Sequence, residues 1–250
     1  MGNGESRKAI SYELLNEHVT YGCNGIAREW TPSALVCIDN KMMHEIVDSG
    51  YPKNNKCYFR KFTLMDAFHY EPLRMGAQRG EVIENISTGY KFAYFGSEQQ
   101  IEFYPEDKTM GIVENPLHFF TWVSEQDQIY DLDEFIGKKP QDSGQNATEL
   151  MCTIEKPDIC YLIGFDLSVN NGLVNNVYKN TNGYAPDYAL PVHPDGWIRD
   201  LDEIFDKYSE TKFIHVLNTK VFDTIETISV EHFINILENQ WQSKKKLLNQ

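Results

Sequence analysis

The feature that most constrains the fold is the run Ile159-Cys160-Tyr161-Leu162-Ile163-Gly164-Phe165-Asp166, apolar almost throughout and closed by a carboxylate. A strand that shows one face to water alternates apolar and polar residues; a continuous apolar run marks a strand buried on both faces. Ala34-Leu35-Val36-Cys37-Ile38 reads the same way, Lys212-Phe213-Ile214-His215-Val216-Leu217 reads as another strand, and Val19 to Cys23 as a shorter one. Helical patterns fall between them: Ser6 to Asn16, then a helix with Met42, Met43, Ile46 and Val47 inward, Asn146 to Glu155, Ile198 to Tyr208, and Val230 to about Leu248. Strand–helix alternation predicts an α/β fold, a mostly parallel sheet with helices on both faces.

From about 55 to 135 the rhythm changes to aromatic-rich, short alternating segments: Cys57-Tyr58-Phe59, Tyr90 to Phe95, Ile101 to Tyr104 and His118 to Val123. This stretch reads as an irregular insertion on the frame. The expected organisation is one domain over 1–250 carrying that inserted subdomain at about 55–135.

Charge and cysteine usage exclude several classes. Lys and Arg number 23 against 37 Asp and Glu, a net charge of −14. Nucleic-acid binding needs a basic face that releases counterions, so no nucleic-acid partner is expected. No apolar run reaches the ~18–20 residues of a membrane span, and the first residues carry no apolar core of a signal peptide. The five cysteines form no CxxC pair, and four of them sit in or beside apolar runs. They read as reduced, buried thiols of a cytoplasmic protein. The histidines lack zinc spacing, so no metal is expected.

In open parallel sheets ligands bind beyond the strands' carboxyl ends. That rule singles out Asn24, Asp39, Asn40 and Asp166, each placed at the end of an apolar strand. Gly2-Asn3-Gly4-Glu5-Ser6 precedes a helical pattern; two glycines let backbone approach a ligand, and a helix start offers N–H groups to a phosphate. An ordinary Ser-capped helix start reads equally well, and only Met1 precedes this loop, whereas a phosphate loop usually follows a central strand. Asp131-Leu132-Asp133 and Asp200-Leu201-Asp202 could hold a divalent cation, but acidic residues also favour helix first turns, which is the preferred reading. His193 sits in a proline-flanked loop; an imidazole titrates near neutrality and can serve as a general base. Asn170-Asn171-Gly172 and Asn175 to Asn182 form a polar loop after Asp166, with Tyr178 as a phosphate donor or simply part of a surface turn.

The order of these motifs resembles the bacterial lipooligosaccharide sialyltransferases, which use a CMP-activated sugar on a Rossmann-like sheet. Gly2-Asn3-Gly4-Glu5-Ser6 looks like that family's Gly-Asn-Gly-x-Ser loop, Cys23-Asn24 like its Cys-Asn motif, and Ser143-Gly144 followed by Gly164-Phe165-Asp166 like its Ser-Gly…Gly-Ile-Asp segment. Tyr178 and His193 fall where the family carries a loop tyrosine and its catalytic histidine. The Gly-Phe-Asp…Asn-Asn-Val-Tyr pattern is also similar to small proteins of marine tailed phages.

The resemblance implies a metal-independent glycosyltransferase with no cofactor beyond its nucleotide-sugar donor, which is a substrate. Asn3, with Gly4 beside it, and Ser143, with Gly144, would meet the phosphate and donor sugar, and Asn24 the cytosine or donor. Asp166, after Gly164, would hold the ribose hydroxyls. Tyr178 would stabilise the leaving phosphate, and His193 would take the acceptor's proton. The acceptor would be a hydroxyl, a glycan by class. Where the family has Thr-Ser-Gly this chain has Asp142-Ser143-Gly144, a carboxylate that repels an anionic sugar. The nucleotide-sugar class therefore carries over and sialic acid does not. The alternative is a degenerate, non-catalytic transferase fold serving as a structural or binding module, as a homo-oligomer or within a phage virion. A nucleotide-dependent oxidoreductase ranks behind both, because no GxGxxG follows a strand.

Overall fold

The computed structural model describes residues 1–60, 63–65, 82–85, 90–93, 110–113, 120–123, 126–139, 141–167, 174–190 and 192–248. The chain divides into two compact units, Met1–Val36 with Glu134–Gln250, and Cys37–Asp133.

The first unit opens with two short 3-10 turns, Glu5–Ala9 and Tyr12–Leu15, where the sequence predicts one helix over 6–16. Ile10 (φ −97°, ψ 119°) and Ser11 (φ −69°, ψ 127°) are extended and break it. The break lets Ile10 and Leu15 enter the core while Ser6 and Arg7 turn to partners far along the chain. Strand β1 (Tyr21–Cys23) runs into a 3-10 turn at Asn24–Arg28, and β2 (Ala34–Cys37) pairs with β1 in parallel, Tyr21 against Ala34 and Cys23 against Val36. Both strands are buried along their whole length, as their apolar runs require.

In the second unit helix α1 (Asn40–Asp48) begins at Asp39, whose carboxylate accepts the Met42 N–H at 3.2 Å. Met42, Met43, Ile46 and Val47 are its buried face. The strands that follow are β3 (Cys57–Phe59), β4 (Thr63–Met65), β5 (Val82–Asn85), β6 (Tyr90–Ala93), β7 (Met110–Val113), β8 (Phe120–Val123) and β9 (Ile129–Asp131). β3 and β9 are parallel; β4, β7 and β8 form an antiparallel sheet, and β5 and β6 an antiparallel pair. Ile101–Tyr104 lies outside the described residues. A short helix α2 (Asp133–Ile136) leads back to the first unit.

There the α/β rhythm returns with α3 (Ser143–Glu155), β10 (Ile159–Ile163), α4 (Asp195–Lys207), β11 (Lys212–Val216), β12 (Glu226–Ile228) and α5 (Val230–Leu248). β10, β11 and β12 are parallel neighbours in that order. Side chains alternate faces along β10. Cys160 and Leu162 join Phe165 and Phe213 against Leu201, Ile204 and Phe205 of α4. Ile163 and Val216 pack the other way, with Phe233 and Leu237 of α5 and with Ile10 and Leu15. Helices thus cover both faces of a parallel sheet, the α/β arrangement the sequence predicts. Among the described residues no helix is long and apolar enough to cross a membrane.

Candidate functional site

The residues from Gly2 to Ser6 lie along the carboxyl end of β10. Gly2 N–H donates to the Ile163 carbonyl and Gly4 N–H to the Gly164 carbonyl, each at 2.8 Å. The approach is so close that both sides need glycine. A β-carbon on Gly2 would stand 2.5 Å from the Gly164 carbonyl oxygen. Gly164 itself has φ +71°, a left-handed conformation that side chains resist. One on Gly4 would overlap the Asp166 carboxylate.

Asp166, at 6 % exposure, accepts the Ser6 N–H at 3.0 Å and the Ser6 hydroxyl as well. It therefore caps the first 3-10 turn across a gap of 160 residues, and Asn175 accepts the Glu5 N–H at 2.9 Å beside it. Behind Asp166, His215 on β11 is fully buried and its Nε2 meets the Phe165 carbonyl at 2.7 Å. A carbonyl oxygen only accepts, so Nε2 carries the proton and Nδ1 is bare, and Nδ1 is buried without a partner. Burial pushes this imidazole's pKa down, against the Phe165 carbonyl and the Asp166 charge.

At the end of β1, Asn24 takes a left-handed conformation (φ 51°), and its amide oxygen accepts the Ser143 hydroxyl at 2.8 Å. This brings the start of α3 beside β1, with Gly144 kept bare because a β-carbon would stand 3.0 Å from the Phe165 ring. Asn3 donates from Nδ2 to the Cys23 carbonyl (3.4 Å) and to the Tyr184 hydroxyl (3.2 Å). Its Oδ1 is buried with no partner. Tyr184 also accepts the Gly25 N–H at 2.7 Å.

Tyr178 is buried, and its phenol accepts from Arg7 Nη2 at 2.6 Å and donates to Glu29. Burial first, then the Glu29 carboxylate, holds this phenol well above its usual range. Tyr12 donates to the same carboxylate at 2.9 Å and is pushed up to about 12, chiefly by burial. Arg7 is 1 % exposed, and its Nε and Nη1 have no partner. Arg28 lies over the Tyr178 and Tyr184 rings and bonds Thr181 and Asn182, pinning this loop to the turn after β1.

Asn3, Gly4, Asn24, Ser143, Gly144, Gly164, Asp166 and Tyr178 are thus linked around the carboxyl ends of β1 and β10. His193 is not joined to them: it is 73 % exposed, and its Nδ1 stands 3.2 Å from the Asp195 carboxylate. It does stand ahead of α4, whose Trp197 indole donates to Asp142, the residue before Ser143. Asp39 and Asn40 belong to the second unit, Asp39 as the cap of α1 and Asn40 as its first residue. Asn170, Asn171 and Gly172 lie outside the described residues.

Both Asp-x-Asp pairs have protein partners. Asp131 accepts the Asp133 N–H, Asp133 pairs with Arg60, Asp200 with Arg199, and Asp202 accepts from Thr224. Among the described residues no group of three His, Cys, Asp or Glu is placed to hold a metal ion. Sequence reasoning missed Arg7, Glu29, Arg28 and Tyr184. Only Tyr184 had a local signal, an aromatic just after the Asn-rich loop. Compared with protein-family models, curated proteins and solved structures, the chain matches none.

Proposed function

We propose that the residues gathered at the carboxyl ends of β1 and β10 bind a nucleotide-activated sugar, and that the chain is a metal-independent, glycosyltransferase-like protein. The observation that carries this reading is Asn3 Oδ1, a buried acceptor without a partner at the place where the Gly2–Ser6 turn, Asn24 and Ser143 meet. Buried polar atoms are nearly always satisfied, so an orphan among the strand ends argues for a ligand donor. Because Nδ2 is committed to a carbonyl, the free atom is the oxygen. It suits a ligand hydroxyl or amino group rather than a phosphate.

The phosphate would face the first turn of α3, where Ser143 and Gly144 begin a helix of 13 residues and its N–H groups favour negative charge. CMP is the nucleotide that the family resemblance suggests. In transfer, the acceptor oxygen bonds to the anomeric carbon, the bond to the phosphate oxygen breaks, and His193 takes the acceptor's proton. Calorimetry with CMP-, UDP- and GDP-sugars tests binding, and product formation with His193→Ala tests the base. Expected are saturable binding of one nucleotide class, and a variant that binds equally but turns over at least a hundredfold more slowly. No heat with any donor overturns the reading.

A second reading has its own observation. The Tyr178 phenol and the Asp166 carboxylate are already spent on Arg7, Glu29 and Ser6. A non-catalytic binding or structural module descended from a transferase would look the same. Binding without turnover by the native chain favours it.

A further inference from the structure

We propose that Arg7, Tyr12 and Tyr178 form a cradle for a phosphate group, and that Glu29 is a built-in carboxylate plug which a phosphate displaces. All four residues belong to the first unit. Three donors converge on one oxygen there. Glu29 Oε1 accepts Arg7 Nη2 at 2.7 Å, the Tyr12 hydroxyl at 2.9 Å and the Tyr178 hydroxyl. A carboxylate oxygen offers about two lone pairs, so a third donor is poorly served.

The same guanidinium is short of acceptors. Arg7 is 1 % exposed, and its Nε and Nη1 are buried without a partner. Nη2 belongs to both forks of a guanidinium, one shared with Nε and the other with Nη1, so each fork is half used. Buried polar atoms nearly always find partners, and a buried charge left half-paired is costly. Donors crowded on one oxygen beside donors with none mark a place suited to an anion with more oxygens. A tetrahedral phosphate can set one oxygen where Oε1 now stands and a second against Nε or Nη1, the bidentate pairing that Glu29 does not make. The chain carries a net charge of −14, yet cations gather at this spot. The Arg7 guanidinium lies 5.1 Å from the centre of the Tyr178 ring, and that of Arg28 lies 5.5 Å from it.

The plug can leave while the cradle stays. The Glu29 side chain is 42 % exposed, against 1 % for Arg7. Its main-chain N–H is fixed to the Ile26 carbonyl at 3.1 Å, so rotation about side-chain bonds alone takes the carboxylate into water. The Tyr12 ring is held by stacking on Trp30, with centroids 4.9 Å apart, and the Tyr178 ring packs on Tyr184 at 5.2 Å. This cradle is not the first turn of α3, where the donor's phosphate was placed, so its test does not depend on donor binding. A plug seated about nine-tenths of the time weakens the apparent affinity about tenfold.

The test is calorimetry of the full chain with inorganic phosphate, at constant ionic strength in sodium chloride. Glu29→Ala should bind phosphate at least about tenfold more tightly than the native chain. Glu13→Gln removes an exposed carboxylate from the neighbouring turn and should leave the affinity within about twofold. Adding Tyr12→Phe to Glu29→Ala should weaken binding, and adding Arg7→Met, once shown to be folded by circular dichroism, should abolish it. Ribose 5-phosphate in a parallel titration separates the sources: tighter binding than phosphate supports the cradle as a phosphoester site, and weaker binding supports it as a site for the free ion. Equal affinity in the native chain and Glu29→Ala overturns the plug. Absence of saturable phosphate binding by Glu29→Ala, or binding that survives Arg7→Met, overturns the cradle.

Discussion

Gly4 and Asp166 occupy what is in effect one volume: the space a β-carbon would take on Gly4 is filled by the Asp166 carboxylate. That carboxylate in turn caps the turn that Gly4 begins. The loop and the strand end are therefore built against each other, and neither can be altered alone.

Gly4→Ala is expected to destabilise the fold by about 1–3 kcal/mol, as overpacking does, although Gly→Ala at an unstrained position usually gains a few tenths. Gly4 has φ −64°, so steric overlap and not backbone strain is the cause. In the double variant with Asp166→Ala the overlap is gone. Urea denaturation should show the pair less destabilised than the sum of the singles by about 1 kcal/mol; strict additivity would show that the two residues do not collide.

The Tyr178–Glu29–Tyr12 cluster makes stability fall at alkaline pH. Both phenols are raised above their ordinary value of 10.0 in the fold, so the folded chain holds protons that the unfolded chain releases. Their contribution is complete below pH 10 and is lost as pH climbs through the folded values. Tyr178→Phe should cost about 1–3 kcal/mol at neutral pH by stripping partners from Arg7 and Glu29. It should also flatten the decline between pH 10 and 12. Urea midpoints across that range check both, and an unchanged slope counts against the cluster.

His215 has the opposite sign. Its pKa is lowered by burial, so its contribution is present above the unfolded value of 6.5 and is lost as pH falls below it. His18 and His44 are lowered by burial as well and share the slope. His215→Gln should therefore reduce, without abolishing, the loss of stability between pH 7 and 5. A urea-midpoint profile that keeps its native slope would place the proton elsewhere.

The sequence carried the frame wherever burial leaves a periodic trace. β2 and β10 are continuous apolar runs because both faces are covered, and α5 spans Val230–Leu248 as its pattern indicates. The site was legible only as positions at strand ends. Asn24, Ser143 and Asp166 follow from that rule, but their pairings do not, since Ser143 reaches Asn24 across 119 residues and Ser6 reaches Asp166 across 160. The opening helix failed for the same reason. Ser6 and Arg7 have helix-compatible neighbours, yet tertiary partners hold them in a short turn. Arg7 and Glu29 look like surface charges in sequence, and only folding puts one guanidinium out of water.

All five thiols of the chain are buried and unoxidised. For Cys23 and Cys57 burial leads in pushing the pKa up, and for Cys160 the neighbouring Cys152 leads. Thiolate is the species that alkylating reagents capture. The folded protein should therefore ignore maleimides, and one cysteine introduced on the exposed side of α5, at Gln242, would become a unique attachment point for a dye. Fluorophore pairs could be installed with every native sulfur left in place.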